Sequence, residues 1–318
     1  TLEDLESVIE SDKILSQYKF YFEEIKNDMS HMMSDEAEAL FAKMNISGGR
    51  AWGDLFSYLT SKVKVDYNGE TTSLPFIRGL ADSEDAQVRK AAFEAELACY
   101  ETIKEPVAHA LNAIKLETIS DCQLRGYDSP LGRTLLHSDM EKATLDAMLE
   151  AMEEYSPKFW QYLKAKAKAL GHENGLPWYD LFAPMGNATT SFTPEQAKEY
   201  LVRQFSTFDE QLTEMVCRAF DEEWIDFFPR DGKRGGAFCS GVRKIGESRI
   251  LTNFDGTFSD VVTLAHELGH AFHNVCIQGH RPLNMGYSMP VAETASTFNE
   301  CVVMNAAIKT AADKEEKI

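Results

Sequence analysis

Asp260-Val-Val-Thr-Leu-Ala-His266-Glu267-Leu268-Gly269-His270-Ala-Phe-His273 is the stretch on which the reading turns. It sets a His-Glu-x-x-His pattern inside an apolar run. On a helix, His266 and His270 lie one turn apart on one face. Two imidazoles at that spacing can grip one zinc ion. Glu267, one residue further round, is placed to hold a water at the metal's open position. The flanks (Val261, Val262, Leu264, Ala265, Leu268, Ala271, Phe272) predict a buried helix. Two buried imidazoles beside a carboxylate need a reason, and a metal supplies one.

A tetrahedral catalytic site needs a third protein ligand. The HExxHxxGxxH route would require Gly where His273 stands and His where Cys276 stands, so it fails here. Glu293 is the better candidate. It opens the helical run Glu293-Thr-Ala-Ser-Thr-Phe-Asn-Glu300, and a helix antiparallel to the first would present its carboxylate to the metal. Glu300 falls on the same face two turns later and is read as the brace of a ligand histidine. Asp260 is read as a helix cap or as the orienter of a ligand, and His273 as a support of the site or a packing residue. Gly269 is expected to permit a close helix approach beside the metal. His31, His109, His137, His172 and His280 are isolated and read as surface or core residues.

The 318 residues suffice for one large domain or two ordinary ones. Lys and Arg number 32 against 51 Asp and Glu, a net charge of −19. Phosphate backbones and anionic lipid would repel such a chain, which argues against nucleic-acid and membrane partners. The one basic cluster of note, Arg230, Lys233, Arg234, Arg243, Lys244 and Arg249, is interrupted by Asp231 and Glu247 and reads as a solvated face or, as the lesser alternative, a minor substrate-docking patch. No run approaches the ~18 apolar residues of a membrane span. The six cysteines are scattered without a CxxC pair, the pattern of free thiols in a reducing compartment, hence the cytoplasm. The chain begins at Thr1 and not at Met, which marks it as processed, trimmed or partial.

Most of the sequence has helical periodicity. Ser47-Gly48-Gly49 breaks the first helical region. Val63, Val65 and Tyr67 then alternate with polar residues ahead of Asn68-Gly69, predicting a β-hairpin. Further helices are expected from Asp82 onward. One runs over Met140–Tyr155, capped by Ser138 or Asp139, and another over Phe159–Leu170. The stretch from Gly175 to Thr193 is expected to be a loop, and Thr193 to cap a helix opening at Pro194. Ala237 to Val242 and Arg249 to Phe254 read as two antiparallel strands ahead of the His-Glu-x-x-His helix. The second of them is a candidate to hold an extended peptide by edge pairing.

With these residues in place, the sequence resembles the M3 family of zinc oligopeptidases, most of all its oligoendopeptidase F branch. The resemblance rests on HELGH at 266–270 followed by the ETASTFNE run at 293–300. It extends to SGGRAW at 47–52, VRKAAFEAE at 88–96, RGYDSPL at 125–131, PWYDLFAP at 177–184, KRGGAFCS at 233–240 and TNFDGTFSDVVTLAHELGHAFHN at 252–274. It implies a mainly α, zincin-like (neurolysin-like) helical peptidase fold with a small antiparallel sheet beside the His-Glu-x-x-His helix. It also implies a channel that admits short peptides. Residues 1–76 would form an N-terminal helical domain ending in the hairpin. Residues 77–318 would form the catalytic domain without its C-terminal part. By the same resemblance His266, His270 and Glu293 correspond to ligands of one zinc ion and Glu267 to the general base. The family's chain continues beyond the Glu-ligand helix, so the present chain looks truncated at both ends. The residues the family assigns to the substrate carbonyl and the oxyanion would then lie beyond Ile318, and Tyr287 matches none of them.

The expected function is zinc-dependent endopeptidase cleavage of short oligopeptides. Two alternatives stand beside it. One is a truncated or inactive chain that holds zinc and peptide without turnover. The other is a different HExxH zinc hydrolase, such as a deformylase, with Cys239 as the upstream ligand.

Overall fold

The computed structural model describes residues 2–185, 191–230, 233 and 235–311. Residues 186–190 of the expected loop and Arg234 of the basic cluster lie outside them. In chain order the helices are α1 (Leu2–Ser11), α2 (Lys19–Met29), α3 (Asp35–Ser47), α4 (Gly49–Lys62), α5 (Leu74–Gly79), α6 (Ala86–Tyr100), α7 (Lys104–Leu124), α8 (Pro130–His137), α9 (Lys142–Ala169), α10 (Pro194–Phe205), α11 (Glu210–Asp221), α12 (Phe258–Cys276) and α13 (Met289–Thr310). The strands are β1 (Lys64–Tyr67), β2 (Glu70–Ser73), β3 (Ile225–Asp226), β4 (Phe238–Val242) and β5 (Glu247–Leu251). The chain divides into two compact units, one of Thr1–Lys26 with Met185–Ile318 and one of Asn27–Pro184.

In the second unit the predicted hairpin forms with Lys64 opposite Ser73 and Tyr67 opposite Glu70. Asn68 and Gly69 both take positive φ, 52° and 83°, as a two-residue turn of this hand requires. Val63 and Val65 face inward with Leu74, Ile77, Ala92 and Cys99 to make a small core. The Gly48-Gly49 break separates α3 from α4. There Glu117 of α7 accepts hydrogen bonds from the Gly49 N–H and the Asn45 side chain, satisfying a donor that the start of a helix leaves open. Arg89 and Asp180, both almost fully buried, pair at 2.7 Å. Asp180 also accepts from His172 Nε2 at 2.6 Å.

Two expectations here are corrected. Residues 142–169 form one helix, and Pro157 sits inside it. Proline removes one backbone bond, but the helical period on either side is unbroken, so the helix carries through it. Its N-cap is Glu141, which makes no side-chain capping bond; neither Ser138 nor Asp139 caps it. Asp139 instead takes a positive φ of 48°.

In the first unit the main core gathers α10, α11, α12 and the three-stranded sheet around Leu201, Phe205, Leu212, Trp224, Leu264 and Leu268. Thr193 caps α10 in a capping box with Gln196, as its place before Pro194 predicts. The sheet order is β3-β5-β4. The two expected antiparallel strands are present, with Phe238 opposite Leu251 and Val242 opposite Glu247. A third strand is added: β3 pairs β5 in parallel, Ile225 opposite Ile250. This overturns the edge-pairing role expected of 249–254. β5 is the central strand, hydrogen-bonded on both sides, and among the described residues β4 is an edge. In the basic cluster Arg230 and Lys233 pair with Asp226 and Arg249 with Glu247; the Lys233 side chain is 1% exposed, so it is not part of a solvated face.

Candidate metal centre

Helix α12 is built by a capping box. Thr257 Oγ1 accepts from the Asp260 N–H at 3.1 Å, and Asp260 Oδ2 accepts from the Thr257 N–H at 2.9 Å. Asp260 Oδ2 also accepts from Thr257 Oγ1 and the Asp255 N–H. Of the two roles open to Asp260, its bonds are those of the cap. From there Val261, Leu264, Ala265, Leu268 and Ala271 recur at helical spacing and are buried. Each large apolar side chain so buried contributes about 1.5–3 kcal/mol. That stripe pins the helix against the sheet and turns His266 and His270 to the adjoining face, where both are half-buried.

Helix α13 runs alongside and brings Glu293 to them. Glu293 Oε2 lies 3.4 Å from His266 Nε2 and 3.7 Å from His270 Nε2. One ligating atom from each of the three residues falls within 4.8 Å of the other two, the arrangement that can hold a metal ion. The two imidazole rings stand edge to face, 4.9 Å apart at 85°. His266 Nδ1 lies 2.6 Å from Glu300 Oε1, so the predicted brace is in contact with the predicted ligand. Such a carboxylate fixes the ring and leaves Nε2 as the free nitrogen.

Burial pushes the His270 pKa down, and His266 beside it acts the same way. The neutral ring is the form that binds metal. Glu267 is 5% exposed, and its Oε2 is buried without a hydrogen-bond partner. Burial pushes its pKa up; the neighbouring His266 opposes this and Glu293 adds to it. An orphaned buried carboxylate oxygen is costly without a cation or water to meet it. Two imidazole nitrogens, a carboxylate oxygen and a second carboxylate nearby are a donor set that suits zinc.

His273 packs on the Tyr287 ring at 4.3 Å, with its Nδ1 buried and unpartnered. Cys239 is paired in β4 opposite Ile250. Burial pushes its thiol up to about 12, against a hydrogen bond from Ser248 that lowers it. A thiol so held stays protonated at neutral pH, which does not suit a metal ligand. Sequence reasoning missed Ser296 and Asn299, both buried polar residues of α13 facing α12. Their signal was their helical spacing with Ala292 and Val303, the other buried residues of α13.

A family model described as Peptidase family M3 matches residues 79–318, and one described as Oligopeptidase F matches residues 2–64. The chain is 29% identical over 312 residues to Group B oligopeptidase PepB of Streptococcus agalactiae serotype III (strain NEM316), covering 95% of this chain and 51% of PepB. It is 27% identical over 314 residues to Oligopeptidase PepF of Bacillus subtilis (strain 168), covering 96% of this chain and 46% of PepF. Among solved structures, a peptidase from Chlamydophila abortus superposes with a TM-score of 0.76 at 24% identity, over 98% of this chain and 54% of that one. Oligoendopeptidase-F from Enterococcus faecium does so with 0.64 at 20% identity, over 98% and 50%. At these identities the two structures speak for the fold alone. The chain spans about half the length of the curated relatives it matches. The family model runs through both helices of the metal centre and most of the sequence before them: the chain belongs to peptidase family M3.

Proposed function

We propose that this chain carries the metal-binding part of a zinc-dependent endopeptidase acting on short oligopeptides. The observation that carries the reading is the convergence of His266 Nε2, His270 Nε2 and Glu293 Oε2. These three residues would hold one zinc ion. Zinc, when bound, supplies Lewis acidity toward a water and a peptide carbonyl oxygen. Glu267, on the same helix, takes the proton of the attacking water and hands it to the leaving amine. Its buried, unpartnered oxygen and raised pKa suit a group that gains and loses a proton in each cycle. Glu300 holds the His266 ring through Nδ1. Edge strand β4, beside α12, takes over the peptide-pairing role that the sequence had suggested for β5.

Residues 1–76 serve as the N-terminal domain of the peptidase and 77–318 as part of its catalytic domain. The six unpaired cysteines support a reducing, cytoplasmic setting. No helix of the described residues is long and apolar enough to cross a membrane. Zinc and peptide binding without turnover is the second reading. The test is cleavage of internally quenched peptides of five to fifteen residues with zinc present, comparing the parent chain with Glu267→Gln. Zinc-dependent cleavage lost in Glu267→Gln supports turnover; zinc binding with no cleavage by either chain selects the second reading.

A further inference from the structure

Helices α12 and α13 approach tightly beside the candidate ligands, at residues that neither ligate nor brace. Gly269 lies between His266 and His270 in sequence. A Cβ placed on it would sit 2.6 Å from Ala295 O and 2.7 Å from Ser296 Cα, closer than real Cβ atoms come. Asn299, 2% exposed, donates from Nδ2 to the Ala265 carbonyl at 3.2 Å, bonding one helix to the other. Ser296 is 0% exposed, and its hydroxyl lies 2.8 Å from Glu293 Oε2. That is the same oxygen that faces both histidine nitrogens.

The Ser296 hydroxyl also lies 2.9 Å from the Glu293 backbone carbonyl. It has one hydrogen to give. A charged carboxylate oxygen is the stronger acceptor, and a carbonyl inside a helix already has its own backbone donor. The Glu293 side chain is otherwise 42% exposed, on a flexible stem with several rotamers open to it. Without an anchor it would lose that freedom on binding metal, and affinity would fall accordingly.

We infer that Ser296 is a positioning residue for the metal centre. Its hydroxyl holds Glu293 Oε2 toward His266 and His270. The Gly269 contact and the Asn299 bond set the helix separation at which this is possible. The inference rests on the reading of these three residues as zinc ligands.

The test is zinc affinity by chelator competition on the full chain, with Ser296→Ala made alone and in a Glu293→Ala background. Unfolding of the metal-free proteins is followed in parallel. Alanine is smaller than serine and favours helix, so the metal-free fold should persist. The expected result is a fall in affinity of roughly 10- to 100-fold for Ser296→Ala, an unchanged metal-free unfolding midpoint, and no further loss when Glu293 is already alanine. Unchanged affinity would overturn the inference. So would a loss of equal size in the Glu293→Ala background, since that would be a packing effect. A parent chain that takes up no zinc would instead overturn the ligand reading itself, and this inference with it.

Discussion

His266 Nδ1 is bonded to Glu300 Oε1 at 2.6 Å, and its opposite nitrogen faces Glu293 Oε2 at 3.4 Å. One ring thus joins two carboxylates of the same helix, seven residues apart. The first fixes the ring's orientation and tautomer; the second shares with it the space a metal would fill. A helix that presents two carboxylates two turns apart is therefore matched to a helix that presents two histidines one turn apart.

Removing the brace should loosen the metal without unfolding the chain. Glu300→Ala is expected to weaken zinc binding by about 10- to 100-fold, measured by chelator competition. Far-UV circular dichroism should be unchanged. Glu300→Gln, which keeps an acceptor oxygen, should lose less.

Gly269→Ala tests the close approach of α12 and α13. Alanine gains about 1 kcal/mol of helix propensity over glycine. Against that, its Cβ would meet the backbone of Ala295 and Ser296 at 2.6–2.7 Å, and overpacking of this kind costs about 1–3 kcal/mol. A net loss of stability is expected in thermal unfolding, together with weaker zinc binding as α13 is pushed away. A net gain of stability would contradict the contact.

Much of this centre was legible in the sequence, because its chemistry is local. The four-residue spacing of His266 and His270 and the apolar stripe from Val261 to Ala271 place two imidazoles on one face of a buried helix. Thr193 before Pro194, and Asn68-Gly69 after an alternating run, mark the local geometry adopted there. What escaped was set by partners distant in the chain or by elements too short to show a period. The two residues of β3 carry no alternation, yet they make β5 central and so remove its free edge. Arg89 and Asp180 are 91 residues apart, and nothing near either one announces the other. The two helices expected over Met140–Tyr155 and Phe159–Leu170 are one helix through Pro157, and that continuity is not marked in the local sequence.

The Arg89–Asp180 pair gives a pH prediction. Burial alone would raise the Asp180 pKa, but the bonds from His172 and Arg89 outweigh it and leave the carboxyl below its ordinary 3.8. A folded-state pKa below the unfolded one adds stability that is present above the unfolded value and is lost as pH falls through the folded value. Acid titration of the fold should therefore show a loss below pH 3.8 that is smaller in Asp180→Asn, the remainder coming from other depressed carboxyls such as Asp226 and Glu38. At neutral pH, Asp180→Ala should destabilise by about 3–5 kcal/mol, since it strands a buried guanidinium.

Cys239→Ser separates the present reading from one with a thiolate ligand. Burial drives its thiol up to about 12, and its backbone is paired within the sheet opposite Ile250. Zinc affinity should be unchanged in Cys239→Ser. The cost in stability should be on the order of 1 kcal/mol, from burying a hydroxyl in place of a thiol. A large fall in affinity would return Cys239 to the ligand set.

The central claim is that His266, His270 and Glu293 together hold one zinc ion. Its most direct test is zinc stoichiometry and affinity by isothermal titration of the metal-free chain, for the parent and for Glu293→Ala. The account predicts one ion per chain and a loss of at least about 100-fold in affinity for Glu293→Ala, as expected when one of three protein ligands is removed. Zinc bound equally well by both chains, or by neither, would contradict it.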